Sequence, residues 1–387
     1  MLIPLIIYPY LIRVLGKEKY GIIIFAQAII GYLVILVSFG FNASATKDVS
    51  INRNDKQKLS EIVSSVLIIK FFLLIISFII VIITLNFIQQ AHDYYILFIL
   101  TMWLVIYEFI FPIWYFQGIE KMKYITYFTL INKLFFLFLI FLLIKSPAHY
   151  LRIPVINALG SMLAGICSLY IIFKQHEIKF QFQKFKILKE YFRESIPLFL
   201  SSVSVTLFVQ ANKVIIGAYL GMAEVAYYDL AEKIVQLLKT PQILITQAIF
   251  PKTSKDKNTS FIKKMMLLSI SIALFLFLLT QIFAYKIILL LGGLDMLSAV
   301  KLLRVLSTVI IFVYLSQYTS VHTILANGYN TIWMKLVLLT GAVYLVLVLL
   351  LCFLNKITAL HLVYVSLLSE LCMLIYSYYY SKKLKLL

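Results

Sequence analysis

The sequence predicts an all-α polytopic membrane protein of about twelve transmembrane helices arranged in two six-helix lobes, and three observations carry that prediction. Of its 387 residues, 63% are hydrophobic and 13% charged, against about half and about a quarter in a soluble domain. Mean hydropathy is +0.98. Apolar runs also recur along the whole chain, and each needs roughly 20 residues to cross a hydrocarbon core about 30 Å thick. Twelve such runs leave no room for a folded soluble domain.

In chain order, the apolar runs between polar breaks place spans at 1–15, 20–41, 62–88, 94–116, 125–144, 153–173, 195–220, 225–250, 265–284, 299–325, 336–354 and 361–380. The first lacks a basic leader and a small-residue cleavage site, so Met1 onward reads as a retained span. The most polar stretch, 174–194, is the expected cytoplasmic basic linker between an N-terminal lobe at 1–173 and a C-terminal lobe at 195–387. Six spans per lobe send both halves into the membrane in the same direction, so a duplication would be a parallel repeat. Its trace is a displacement by 205 positions that aligns Leu15-Gly16 with Leu220-Gly221, Ala26 with Ala231, Ile29 with Ile234, Ala43 with Ala248 and Lys47 with Lys252.

The chain carries 35 Lys and Arg against 16 Asp and Glu, a net charge of +19. The excess sits in short connections, with four basic residues in 42–60, six in 174–194 and five in 251–264. Such residues meet anionic lipid headgroups and set orientation. Both termini are therefore expected in the cytoplasm, membrane lipids are expected partners, and nucleic acid is not. Tyr376, Tyr378, Tyr379 and Tyr380, just before Lys382 and Lys383, fit an interfacial aromatic belt. Cys167, Cys352 and Cys372 lie in apolar runs without metal-ligand spacing, and the five histidines form no metal-spaced pair. No cofactor, metal or phosphate-loop site is expected.

Charged groups within spans are costly and mark candidate function. The basic ones are Arg13, Lys70, Lys133, Lys213, Lys233 and Lys239; the acidic ones are Glu108, Asp229, Glu232 and Glu370. Ser202, Thr206, Gln210, Lys213 and Gly217 share one face of the seventh span, and Asp229, Glu232, Lys233, Gln236 and Thr240 give the eighth a polar face too. Lys70 and Lys239 are also placed to snorkel towards an interface. Arg13, Lys70, Lys133, Gln210, Lys213 and Lys233 are the candidate substrate-binding residues. Glu108, Asp229, Glu232 and Glu370 are candidates for coupling an ion, with a structural salt bridge as the plainer role. A cation excess in an interior cavity calls for an anionic cargo such as a phosphate.

The chain resembles the Wzx-type oligosaccharide flippases of the multidrug and oligosaccharidyl-lipid exporter superfamily. The resemblance rests on Arg13-Val14-Leu15-Gly16 with Tyr20-Gly21 and Phe25-Ala26-Gln27-Ala28, then Phe39-Gly40-Phe41-Asn42 through Ser44-Ala45-Thr46-Lys47. Phe116-Gln117-Gly118 with Glu120-Lys121-Met122, Pro197 with Phe199-Leu200-Ser201-Ser202, Ala211-Asn212, Tyr227-Tyr228, Ala231-Glu232-Lys233-Ile234 and Gln247-Ala248 before Phe250-Pro251 extend it. It implies a bacterial inner-membrane transporter that moves undecaprenyl-pyrophosphate-linked sugar units outward by alternating access. Lipid-linked oligosaccharide is then the substrate, and other polysaccharide-assembly proteins are candidate partners. It also implies more residues before the first span than this chain carries. Two rivals stand beside it. A multidrug or organic-cation exporter of the same superfamily would favour interior carboxylates over interior cations. A membrane polymerase or glycosyltransferase would need a sizeable catalytic external loop, whereas the external connections here are short.

Overall fold

The computed structural model describes residues 3–87 and 89–386, with the side chains of 3–5, 89, 90 and 204–209 outside the description; Met1 and the Thr206 side chain thus lie outside the described residues. Among these, the secondary structure is helical throughout. The helices are α1 (Ile3–Ser38), α2 (Phe41–Ile51), α3 (Lys56–Phe87), α4 (Gln89–His92), α5 (Tyr95–Thr101), α6 (Trp103–Ile110), α7 (Ile113–Gly118), α8 (Met122–Leu143), α9 (Arg152–Tyr170), α10 (Phe185–Tyr219), α11 (Met222–Asp256), α12 (Thr259–Gly292), α13 (Ala299–Ser316), α14 (Asn330–Phe353) and α15 (Ala359–Lys383). Nine stretches among the described residues are long and apolar enough to cross a membrane. Counting α1 as two legs and adding α10 and α11 recovers the twelve expected helices.

Several helices outrun their expected spans. α10 begins at Phe185, inside the stretch read as linker, and α11 continues to Asp256. Lys, Glu and Leu are good helix formers in water as well as in lipid, so loss of apolarity marks the membrane edge and not the helix end. The fourth span is broken instead: Pro112 forces Phe111 into an extended conformation (φ −105°, ψ 93°) between α6 and α7. Asp55 starts α3, its Oδ1 accepting from the N–H groups of Gln57 and Lys58 at 2.9 Å each.

The chain divides into two compact units, Met1–Val214 and Ile215–Leu387, with the division inside α10. In the first unit the second leg of α1 is the core element, and Ile22, Phe25, Ala26 and Ile30 are fully buried. Gly40 (φ 77°) lets the chain turn into α2 against α10, where a Cβ would come within 2.8 Å of Leu198 Cβ and Phe199 N. Phe39 stacks on Phe192 and Phe199 there. After α9, Ser60 and Ser64 of α3 accept from the N–H groups of Lys179 and Gln181, tying down an extended segment. The outer face of α3 exposes Phe71, Phe72, Ile75, Ile76, Ile79 and Ile83. That much contiguous apolar surface requires lipid.

The second unit is built on α13 and its π-helical continuation Gln317–Leu325, which pack against α11, α12 and α15. Hydroxyl pairs cross the helix contacts: Ser269 with Tyr318 at 2.6 Å, Thr319 with Ser377 at 2.6 Å and Thr323 with Ser381 at 2.8 Å. In lipid such bonds hold helices together where apolar burial supplies no driving force.

Backbone geometry strengthens the internal repeat. Gly16 (φ 73°, ψ 166°) kinks α1, and Gly221, 205 positions on, takes nearly the same conformation (φ 99°, ψ 171°) where α11 begins. That region of conformational space is essentially restricted to glycine. A Cβ at either position would meet nothing within 4 Å, so a substitution is penalised by the backbone alone. Gly16→Ala and Gly221→Ala are each expected to cost about 1–3 kcal/mol, read as a lower thermal midpoint in detergent; unchanged midpoints would mean the kinks relax freely.

Candidate functional site

The first unit encloses a chamber of about 520 Å³. The second leg of α1 supplies Gln27 and Gly31, its first leg Tyr8, and α6, α9 and α10 supply Trp103, Asn157 and Gln210. Ile23, Ile24 and Phe136 complete an otherwise apolar wall. Gly31 brings α1 close to α10: a Cβ there would lie 3.4 Å from Gln210 Nε2. The Trp103 indole N–H is buried and has no hydrogen-bond partner among the described residues. A buried donor left unmade costs about 1–3 kcal/mol, so it is held ready for an acceptor. Three amides, aromatic faces and a free indole donor make a neutral lining that can hydrogen-bond hydroxyl groups and stack on the apolar faces of a sugar ring.

Of the residues singled out from sequence, Gln210 lines this chamber. The cations lie elsewhere. Lys70 is buried and donates to Glu108 Oε1 at 2.9 Å and to the Glu108 carbonyl oxygen at 3.0 Å, forming an ion pair across α3 and α6. Arg13 and Lys133 are exposed, and Lys213 is half-buried. In the second unit Lys233 donates to the buried Asp229 Oδ2 at 2.6 Å, one turn along α11. Glu232 is buried beside them. Glu370 of α15 has the Lys239 ammonium as its interacting charge. Among the described residues the sequence-derived carboxylates and cations thus form ion pairs in two places, between α3 and α6 and along α11.

Tyr8, Trp103 and Asn157 carry no charge and lie in no quoted motif, so the sequence does not mark them, whereas Tyr20 belongs to the Tyr20-Gly21 pair of the resemblance. Gln27 lies within Phe25-Ala26-Gln27-Ala28, a motif quoted for the resemblance, and was the available signal.

A second recess of about 350 Å³ in the same unit is lined by Arg53, Lys56, Tyr115, Lys121 and His176. Arg53 pairs with Glu120 at 2.8 Å, and Lys56 pairs with Glu177. Lys121 Nζ lies 3.1 Å from His176 Nε2, and Tyr115 Oη lies 3.1 Å from Nδ1. An ammonium only donates, so Nε2 accepts and Nδ1–H donates to the tyrosine: the imidazole is neutral. Burial, with Lys121 and Lys56 adding to it, holds His176 below its ordinary value of 6.5.

The folded chain therefore binds fewer protons at His176 than the unfolded one. Its contribution is complete above about pH 6.5 and is lost as pH falls through the lower folded value. Amide protection factors in 115–124 and 171–178 are expected to fall on acidification below about pH 6.5, and His176→Asn to abolish that response. Protection factors that ignore pH in the wild type would count against this role of His176.

Together the lipid-facing helices and the internal chamber define a class, an all-helical polytopic membrane protein with the fold of a transporter. A multidrug-resistance transporter of the MATE family and MOP superfamily, solved in an inward-facing conformation, superposes with a TM-score of 0.78 over 99% of this chain and 95% of its own, at 15% identity. Residues 1–257 match the family described as Polysaccharide biosynthesis protein, and the chain belongs to that family. A relative from Escherichia coli (strain K12) is 26% identical over 358 residues, covering 90% of this chain and 85% of the relative. One from Shigella dysenteriae is 28% identical over 274 residues, covering 71% and 69%. Both bear the name "Putative O-antigen transporter".

Proposed function

We propose that the protein is a bacterial inner-membrane flippase that moves undecaprenyl-pyrophosphate-linked oligosaccharide units from the cytoplasmic to the outer leaflet by alternating access, without chemistry on the cargo. The observation that carries this reading is the neutral amide and aromatic lining of the chamber, with its unsatisfied Trp103 donor. Hydroxyl-rich rings suit such walls, whereas an organic cation would call for a carboxylate there. In this scheme the sugars occupy the chamber, while Arg13, Lys133 and Lys213 of the same unit serve the pyrophosphate. Lys70, already held by Glu108, keeps α3 and α6 in register. Both termini lie in the cytoplasm. An inside-negative potential favours outward movement of the anion by about 2.3 kcal/mol per charge per 100 mV, so no fuel-hydrolysing site is needed.

Reconstitution with fluorescent lipid-linked oligosaccharides of differing sugar composition tests the proposal. Wild type is expected to translocate them; Trp103→Phe and Gln27→Leu should each slow transport about tenfold, the equivalent of one hydrogen bond of about 1.4 kcal/mol. Lys213→Ala is expected to impair transport while membrane insertion persists. Translocation of organic cations in place of the lipid-linked sugar would overturn the assignment.

A further inference from the structure

The second unit contains a buried base that the chamber and its cargo do not use. His322 lies in the π-helical stretch Gln317–Leu325 and is 0% exposed. Its Nδ1 is 3.1 Å from Thr253 Oγ1 of α11, and the same hydroxyl lies 3.0 Å from the Phe250 carbonyl oxygen. Threonine has one hydroxyl proton. Both contacts can be made together only if that proton goes to the Phe250 carbonyl and Nδ1–H donates to the threonine oxygen. The imidazole is then the Nδ1–H tautomer, with a bare lone pair on Nε2. That atom is buried and has no hydrogen-bond partner among the described residues. The Tyr318 ring lies 5.0 Å and the Phe250 ring 6.3 Å from the imidazole, centroid to centroid.

The surroundings are hydroxylic and not ionic. α11 presents Thr253, whose neighbour Ser254 also has a buried hydroxyl; Tyr318 is engaged by Ser269 of α12, and Thr319 and Thr323 by Ser377 and Ser381 of α15. The charges at the ends of these helices, Lys252, Lys255 and Asp256 on α11, Lys263 and Lys264 on α12, Lys335 on α14 and Lys382 and Lys383 on α15, are exposed. π-Helical turns are rare and are frequent at functional sites.

We infer that His322 is a proton-coupling residue of the transport cycle: Nε2 takes one proton from solvent, and the resulting imidazolium shifts the π-helical stretch on which it sits. The donor is hydronium: one of its O–H bonds breaks to leave water, one N–H bond forms on the Nε2 lone pair, and the positive charge passes to the ring. The new donor at Nε2 then requires an acceptor, which hydroxyl or backbone oxygens can supply once the π-helical turn moves. The inference rests on the transporter reading but names a residue outside the chamber and outside the four carboxylates drawn from sequence.

Histidine-selective ¹⁵N NMR of the full chain in nanodiscs tests the starting state without any transport assay. Wild type should show three histidines as the Nδ1–H tautomer at about pH 8, because His176 and His361, whose Nδ1 lies 2.6 Å from the Lys356 carbonyl oxygen, share that form with His322, and the His322 signal should convert to imidazolium on acidification. His322→Gln should remove that signal, and Thr253→Val should shift it, which assigns it even if the first variant folds poorly. An Nε2–H tautomer, or a signal that does not titrate, overturns the inference.

In proteoliposomes, an imposed proton gradient should stimulate wild-type translocation, and His322→Gln and His322→Asn should lose that stimulation while keeping exchange without a gradient. Full gradient stimulation in both variants would also overturn it. Failure of the lipid-linked cargo to move in wild type would instead count against the proposed function, with the NMR result unaffected.

Discussion

Lys70→Ala is expected to destabilise the protein by about 3–5 kcal/mol, because removing one member of a buried ion pair leaves the other charge without compensation. The Lys70 side chain is 1% exposed and that of Glu108 15%. The ammonium also satisfies the Glu108 carbonyl oxygen, so two acceptors are orphaned at once. The measurement is the thermal midpoint and folded yield in detergent, set beside the double variant Lys70→Met with Glu108→Leu. Replacing both partners by apolar groups of similar volume should recover most of the loss. Because Lys70 pairs with Glu108 and lies away from the chamber, the double variant should also translocate cargo. If Lys70→Ala folds as well as wild type yet fails to transport, the ion pair is not its role and a direct part in binding is.

The second large effect concerns the chamber. Gly31 sits mid-helix in α1 with its Cα side facing Gln210, and an added Cβ would meet only the far end of that flexible amide at 3.4 Å. Gly31→Ala is therefore expected to fold normally, aided by up to about 1 kcal/mol of helix propensity. Gly31→Phe places a ring into a space of about 520 Å³ and is expected to abolish translocation while the chain still inserts. The pair separates steric occlusion from loss of fold. Transport by Gly31→Phe at the wild-type rate would show that cargo does not enter the chamber.

Hydropathy alone located the helices, since each apolar run must satisfy its backbone internally in lipid and only a helix does so within one segment. It placed helix ends poorly where charged residues continue a helix beyond the membrane, as at Phe185 and Asp256. The Leu-Gly pairs at 15–16 and 220–221 were a legible trace of the repeat, because the conformation at Gly16 and Gly221 excludes other residues and so keeps glycine in place. The polar residues of the site were harder. Intramembrane charges were conspicuous in the sequence, yet Lys70 with Glu108 and Lys233 with Asp229 satisfy each other, and nothing in a linear order tells a charge that has a partner from one that awaits a ligand.

By itself, then, the sequence determined the all-helical membrane class and the Leu-Gly pairs of the repeat, both consequences of local chemistry between a residue, its neighbours and the bilayer. Only the tertiary structure decided which polar groups share a wall. Gln27, Trp103, Asn157 and Gln210 are brought to one chamber by four different helices, and His322 meets Thr253 across 69 residues. Such convergence depends on how helix faces pack, which hydropathy does not encode.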